Sequence, residues 1–117
     1  MAGFQDLKVW QEAHRLVLRV YEVTASFPDA ERYGLVSQAQ RAAVSIAANI
    51  AEGTKRNTGP DRARFYVIAD TSLEEVRYYL ILSRDLQYVT MGEYDILWEH
   101  AANVGRMLNG LLRSSRQ

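Results

Sequence analysis

The chain has 117 residues, 48% hydrophobic and 24% charged, and its 14 basic side chains balance 14 acidic ones. Such a chain is one globular domain, able to bury roughly two thirds of the surface it exposes unfolded and so to fold without disulfides or a structural metal. It has no cysteine, which excludes disulfide scaffolds, zinc ribbons and thiol catalysis.

The longest uncharged stretch runs only from Ala42 to Ala51 and holds Ser45 and Asn49. A membrane helix needs roughly 20 apolar residues, so no membrane span is expected. The opening Met-Ala-Gly-Phe-Gln-Asp has neither a basic start nor an apolar core. It is not a signal peptide, and a cytosolic location follows as the expectation.

Leu7, Trp10, Ala13, Val17, Val20 and Tyr21 recur at spacings of three and four with charged residues between them. The spacing predicts an amphipathic helix over residues 4–25. Pro28-Asp29 opens a turn. A second helix is predicted over residues 35–53, with Leu35, Ala39, Ala42, Ile46 and Ile50 inward and enough small residues for a neighbour to approach closely. Gly53 is expected just past its end in a left-handed conformation, followed by a Lys55–Gly59 loop. Pro60 fits a first helical position with Gly59 or Thr58 as the cap.

The third helix is predicted over residues 60–88, burying Phe65, Ala69, Ser72, Val76, Tyr79, Ser83 and Leu86, with Leu73 and Leu80 beside them. Thr90-Met-Gly-Glu93 has the spacing of a capping box and starts a fourth helix over residues 91–114. Its stripe is Tyr94, Leu97, Trp98, Ala101, Val104, Gly105, Leu108, Leu111 and Leu112. Four helices of about 20 residues with short connections predict an all-α, antiparallel up-down-up-down four-helix bundle in a single domain spanning residues 1–117.

Bundles of this kind often hold metals through Glu-x-x-His pairs. His14 and His100 follow Glu12 and Glu99 at spacings of two and one, which splay the side chains apart, so neither a metal nor another cofactor is expected. No phosphate loop, nucleophile elbow or metalloprotease motif occurs.

One polar constellation stands out. Gln38, Arg41, Ser45, Asn49 and Glu52 form a stripe down the second helix, and Ser72, Glu74 and Glu75 lie mid-way along the third. A solvated face, a polar network at a packing or subunit contact, and a ligand pocket using Arg41, Asn49, Glu52 and Glu75 all remain open readings. If buried, Arg41 needs a carboxylate from Glu52, Glu74 or Glu75.

A second constellation is electrostatic. The up-down order gathers Lys8, Lys55, Arg56, Arg62, Arg64, Arg113 and Arg116 at one end against Asp6, Glu52 and Asp61. The other end carries Glu22, Asp29, Glu31, Asp85, Glu93 and Asp95 against Arg19, Arg32 and Arg84. The basic end suits the backbone of RNA or DNA, since no base-reading motif accompanies it. Leu16, Leu18, Tyr66, Tyr78 and Leu82 fall off the core stripes, more apolar surface than a lone bundle needs, which argues for a homo-oligomer.

Several blocks resemble the 23S ribosomal RNA intervening-sequence proteins, also called four helix bundle proteins. They are Phe4-x-x-Leu7-x-Val9-Trp10-x-x-Ala13; Phe27-Pro28-x-x-Glu31-x-x-Gly34-Leu35-x-x-Gln38; Arg41-Ala42-Ala43-x-Ser45-Ile46-x-x-Asn49-Ile50-Ala51-Glu52-Gly53; and Phe65 followed by Ala69-x-x-Ser72-Leu73-x-Glu75. Ala39 and Gln40 depart from the larger aliphatic and second basic residue common there, and Thr71 replaces a small residue.

The resemblance implies a homopentameric ring, encoded in some bacteria within insertions in large-subunit ribosomal RNA genes, with no established enzymatic activity. Related accessory proteins of diversity-generating retroelements bind a reverse transcriptase and nucleic acid through a basic ring surface. On this chain that surface would use Lys55, Arg56, Arg62, Arg64 and Arg113. Gln38, Arg41, Ser45, Asn49, Glu52, Ser72 and Glu75 would be signature packing or subunit-interface residues. The functional expectation is a non-enzymatic accessory module, with a protein scaffold that binds no nucleic acid as the alternative.

Overall fold

A computed structural model describes residues 3–116, so the first two residues of the N-terminal stretch lie outside the described residues. A 3₁₀ turn, Phe4–Asp6, leads into α1 (Lys8–Thr24). A second turn, Asp29–Glu31, precedes α2 (Leu35–Thr54), which is followed by α3 (Gly59–Asp85) and α4 (Met91–Ser115).

Helix α1 packs on α2 and α4, and α3 also packs on α2 and α4. Neither diagonal pair brings Cα atoms within 8 Å. The result is a four-helix bundle measuring 44 × 24 × 24 Å. Leu16, Ile46, Ile50, Leu73, Val76, Val104 and Leu108 are fully buried along its axis. Each such side chain contributes roughly 1.5–3 kcal/mol of hydrophobic stabilisation. No described helix is long and apolar enough to cross a membrane.

The ends of the helices follow from local chemistry. Thr58 caps α3 by accepting the Asp61 N–H, with Pro60 in the first turn. Thr90 and Glu93 form the expected capping box: the Glu93 N–H donates to Thr90 Oγ1 at 3.1 Å and the Thr90 N–H to Glu93 Oε1 at 2.8 Å.

Four expectations need correction. Helix α1 does not begin at Phe4, because Leu7 is extended and separates the 3₁₀ turn from the helix. Helix α3 stops at Asp85 rather than residue 88. Gln87 adopts φ 63°, its N–H donates to Arg84 O, and the Tyr88 N–H donates to Ser83 O. That double closure is a Schellman motif with glutamine in the left-handed position.

Gly53 lies inside α2, and no glycine among the described residues has a positive φ. Its role is close approach: a Cβ there would meet the Tyr66 ring. The core phase also differs. Tyr66 is 2% exposed and Leu16 fully buried, whereas Leu86 and Tyr21, both expected inside, are 44% and 46% exposed. Val9 takes a core position instead.

Candidate functional site

The polar stripe of α2 and the polar middle of α3 meet. Ser45 Oγ and Ser72 Oγ are 2.8 Å apart, and Asn49 Nδ2 donates to the Ser45 carbonyl at 2.8 Å and to Ser45 Oγ at 3.0 Å. This small network is half-buried, with Ser72 inside. The rest of the stripe stays outside it, since Gln38, Arg41, Glu52, Glu74 and Glu75 are all exposed. Arg41 therefore needs no carboxylate for burial. Glu52 instead pairs with Arg56 at 2.6 Å.

Arg41 and Asn49 line an open hollow of about 560 Å³ with Tyr21, Gln40, Val44 and Ala48. Glu52 and Glu75 are not in its lining, so the four residues of the ligand-pocket reading do not converge. Burial, and then the neighbouring Glu75 carboxylate, push the Tyr79 phenol above its ordinary range. Among the described residues no three His, Asp or Glu side chains cluster as a metal site.

The basic residues occupy the turn from α2 to α3 and the adjoining end of α4. Gly59, the first residue of α3, lies against the Ser115 backbone so closely that no Cβ fits. That contact puts Arg113 at the end that carries Lys55, Arg56, Arg62 and Arg64. Their surroundings divide the five. Arg62 Nη1 donates to the Arg56 carbonyl at 3.1 Å and so holds the connection in place. Arg56 is bound by Glu52 and lies over the Phe65 ring, its guanidinium carbon 4.5 Å from the centroid.

Arg64 has its guanidinium carbon 5.6 Å from the same centroid and faces Asp61 at 3.8 Å, with 71% of its side chain exposed. Lys55 and Arg113 are also exposed. Phe65 is thus a functional candidate that the sequence reading assigned to the core. No spacing rule links it to Arg56 across a loop.

Along the α1–α4 seam, His100 points inward with 8% of its side chain exposed. Nε2 lies 2.9 Å from the Glu12 carbonyl oxygen, and a carbonyl only accepts, so Nε2 carries the proton. Nδ1 is then buried with no partner. Burial, Arg19 and Arg15 depress the imidazole below its usual 6.5. Glu12 Oε1 at 3.4 Å would favour the charged ring, but Arg15 already holds that carboxylate, so burial and the two arginines prevail. A signal for this was available: His100 directly precedes the core residue Ala101 and lies three after Leu97, at the edge of the apolar stripe.

At the opposite end, Arg19, Glu22, Ser26 and Glu93 rim a hollow of about 300 Å³ floored by Val23, Ile96 and Leu97. Nearby, Tyr88 donates to Glu31 Oε2 at 2.8 Å, and that bond raises its phenol first, ahead of burial and the Glu31 charge.

The chain has a match among protein families. The 23S rRNA-intervening sequence protein model matches residues 5–110, and the chain belongs to that family. It is also similar to a solved structure described as a protein of unknown function from the S23 ribosomal protein family of Bacteroides thetaiotaomicron. The TM-score is 0.80 at 20% identity, covering 89% of this chain and 97% of that one, a likeness of fold. No curated protein matches the chain.

Proposed function

We propose that this chain is an up-down-up-down bundle that assembles into a homopentameric ring and acts in the cytoplasm as a non-enzymatic accessory module binding the backbone of RNA or DNA. The observation that carries the reading is the exposure of Lys55, Arg64 and Arg113 around the junction of Gly59 with Ser115. Charges so placed attract phosphates irrespective of sequence, and several copies on one rim add their effects. The relation to retroelement accessory proteins belongs to the same reading.

The up-down order is supported by contacts running in opposite directions along neighbouring helices. Gly53 meets Tyr66 while Ser45 meets Ser72; Gly105 meets Leu73 while Gly59 meets Ser115. Self-association is supported by two separated groups of exposed apolar side chains, Leu18, Tyr21 and Val44 on α1 and α2, and Val67, Ile68 and Tyr78 on α3. Arg41, Ser45 and Asn49 of the α2 stripe line the same hollow as Tyr21 and Val44, and Ser45 meets Ser72; in this reading they, with Gln38, Glu52 and Glu75, are signature residues of a subunit contact.

The test is charge reversal of the three exposed cations, leaving the structurally engaged Arg56 and Arg62 alone. The variant Lys55→Glu/Arg64→Glu/Arg113→Glu is expected to bind labelled RNA and DNA roughly a hundred-fold more weakly at about 50 mM salt, with an unchanged helical spectrum. Undiminished binding removes this surface. The apolar-floored hollow rimmed by Glu22 and Glu93 favours a second reading, a scaffold for a protein partner with no nucleic acid. Stoichiometric recovery of one protein after nuclease treatment, with no binding of RNA or DNA, selects that scaffold.

A further inference from the structure

The arrangement around Phe65 goes beyond a diffuse positive charge. The Arg56 guanidinium is held at two points, with Glu52 Oε1 2.6 Å from Nη2 and the Phe65 ring beneath the guanidinium carbon at 4.5 Å, while the Arg56 backbone carbonyl accepts from Arg62. Nε is buried without a hydrogen-bond partner, against the aromatic ring rather than in water. Even so, 39% of the side chain faces solvent. A surface arginine ordinarily gives up much rotamer freedom when a ligand fixes it, whereas this one is already immobilised by its own chain. Lys55, adjacent in sequence, and Arg64, whose guanidinium carbon is 5.6 Å from the Phe65 centroid, are exposed cations within the same patch.

A flat, preordered cation backed by an aromatic ring and flanked by two exposed cations has the parts of a single-strand binding site. Unpaired bases stack on guanidinium planes and aromatic faces, while neighbouring phosphates take the charges. In a duplex the base faces are covered by their neighbours, and only the phosphates remain available.

The geometry points to the Arg56–Phe65 pair as a stacking platform for an unpaired base of single-stranded RNA or DNA, with Lys55 and Arg64 holding the flanking phosphates. This inference rests on the nucleic-acid reading above and adds a preference that backbone attraction alone does not give.

The experiment compares three labelled probes of equal length: an adenine single strand, the same strand with every base removed, and a duplex. Each is titrated by fluorescence anisotropy at one salt concentration against the wild-type protein and Arg56→Lys. Lysine keeps the charge and loses the plane. Stacking of one base is worth roughly ten-fold in affinity, so the wild type is expected to hold the adenine strand about ten-fold more tightly than the base-free strand. Arg56→Lys is expected to lose that difference.

Equal wild-type affinity for the strands with and without bases overturns the platform and leaves backbone binding standing. A preference that survives Arg56→Lys also overturns it. Failure of the wild type to bind any of the three probes ends both readings together. The wild-type comparison depends on no variant, so a folding defect in Arg56→Lys does not rescue the proposal.

Discussion

A Cβ placed on Gly53 would stand 2.5 Å from Cε1 and 2.9 Å from Cδ1 of Tyr66, with the Arg62 carbonyl at 3.2 Å. The missing side chain is what lets α2 and α3 close beside the connection that carries the basic residues. Gly53→Ala gains a little helix propensity but forces the buried Tyr66 ring, 2% exposed, out of its place. The net expectation is a loss of about 1–2 kcal/mol, read as a lower urea midpoint. In a double-mutant cycle with Tyr66→Leu, the glycine substitution should cost markedly less.

Gln87 offers the opposite opportunity. Its φ of 63° closes the end of α3 in a conformation that L residues adopt at a cost of roughly 1–2 kcal/mol and glycine adopts freely. Gln87→Gly is therefore expected to stabilise the bundle by about 1 kcal/mol, a rise of several degrees in thermal midpoint for a domain of this size. Gln87→Val should lower the midpoint. A fall for both variants contradicts the strain.

His100 makes stability depend on pH in a defined direction. Burial, Arg19 and Arg15 lower its pKa in the folded protein below the unfolded value of 6.5. The unfolded chain therefore binds the proton first. The contribution of the neutral ring is fully present above pH 6.5 and is lost as pH falls toward and through the folded value. The urea midpoint should fall between about pH 7.5 and 5.5, and His100→Gln should fall less over that range because an amide does not titrate there.

The separated apolar groups on α1–α2 and on α3 predict association that a single charge can interrupt. Val44 is 42% exposed beside Tyr21 and Arg41 in the α2 hollow, outside the bundle core. Val44→Glu should lower the native mass of the assembly with no change in helical content, since it buries no charge within the protomer. An unchanged mass excludes this face from the interface.

The four helices were legible because strong punctuation separates them: Pro28, the Gly59-Pro60 pair and the Thr90–Glu93 box each act through local backbone chemistry. Phase was harder to read. Phe65-Tyr66-Val67-Ile68 and Leu16-Val17-Leu18 are unbroken apolar runs, and a helix buries only part of each turn. Spacing alone gave Phe65 the core place that Tyr66 holds, and it put Leu16 outside with Leu18, although only Leu18 is exposed.

The end of α3 was obscured because glutamine, rather than glycine, takes the left-handed position. At the site, the residue types of the stripe and of the basic end were legible, but their division was not. Whether Arg62 binds a carbonyl, Arg56 stacks on Phe65 or Lys55 stays free depends on contacts across a loop, which a periodic pattern does not encode.

The measurement that tests the account most directly is binding of the purified protein to labelled RNA and DNA at about 50 and 200 mM salt, with native mass determined on the same sample. The account predicts a pentamer whose affinity falls roughly a thousand-fold or more between the two concentrations, as release of counterions from several phosphates requires. Absence of binding at the lower salt, or binding indifferent to salt, contradicts it.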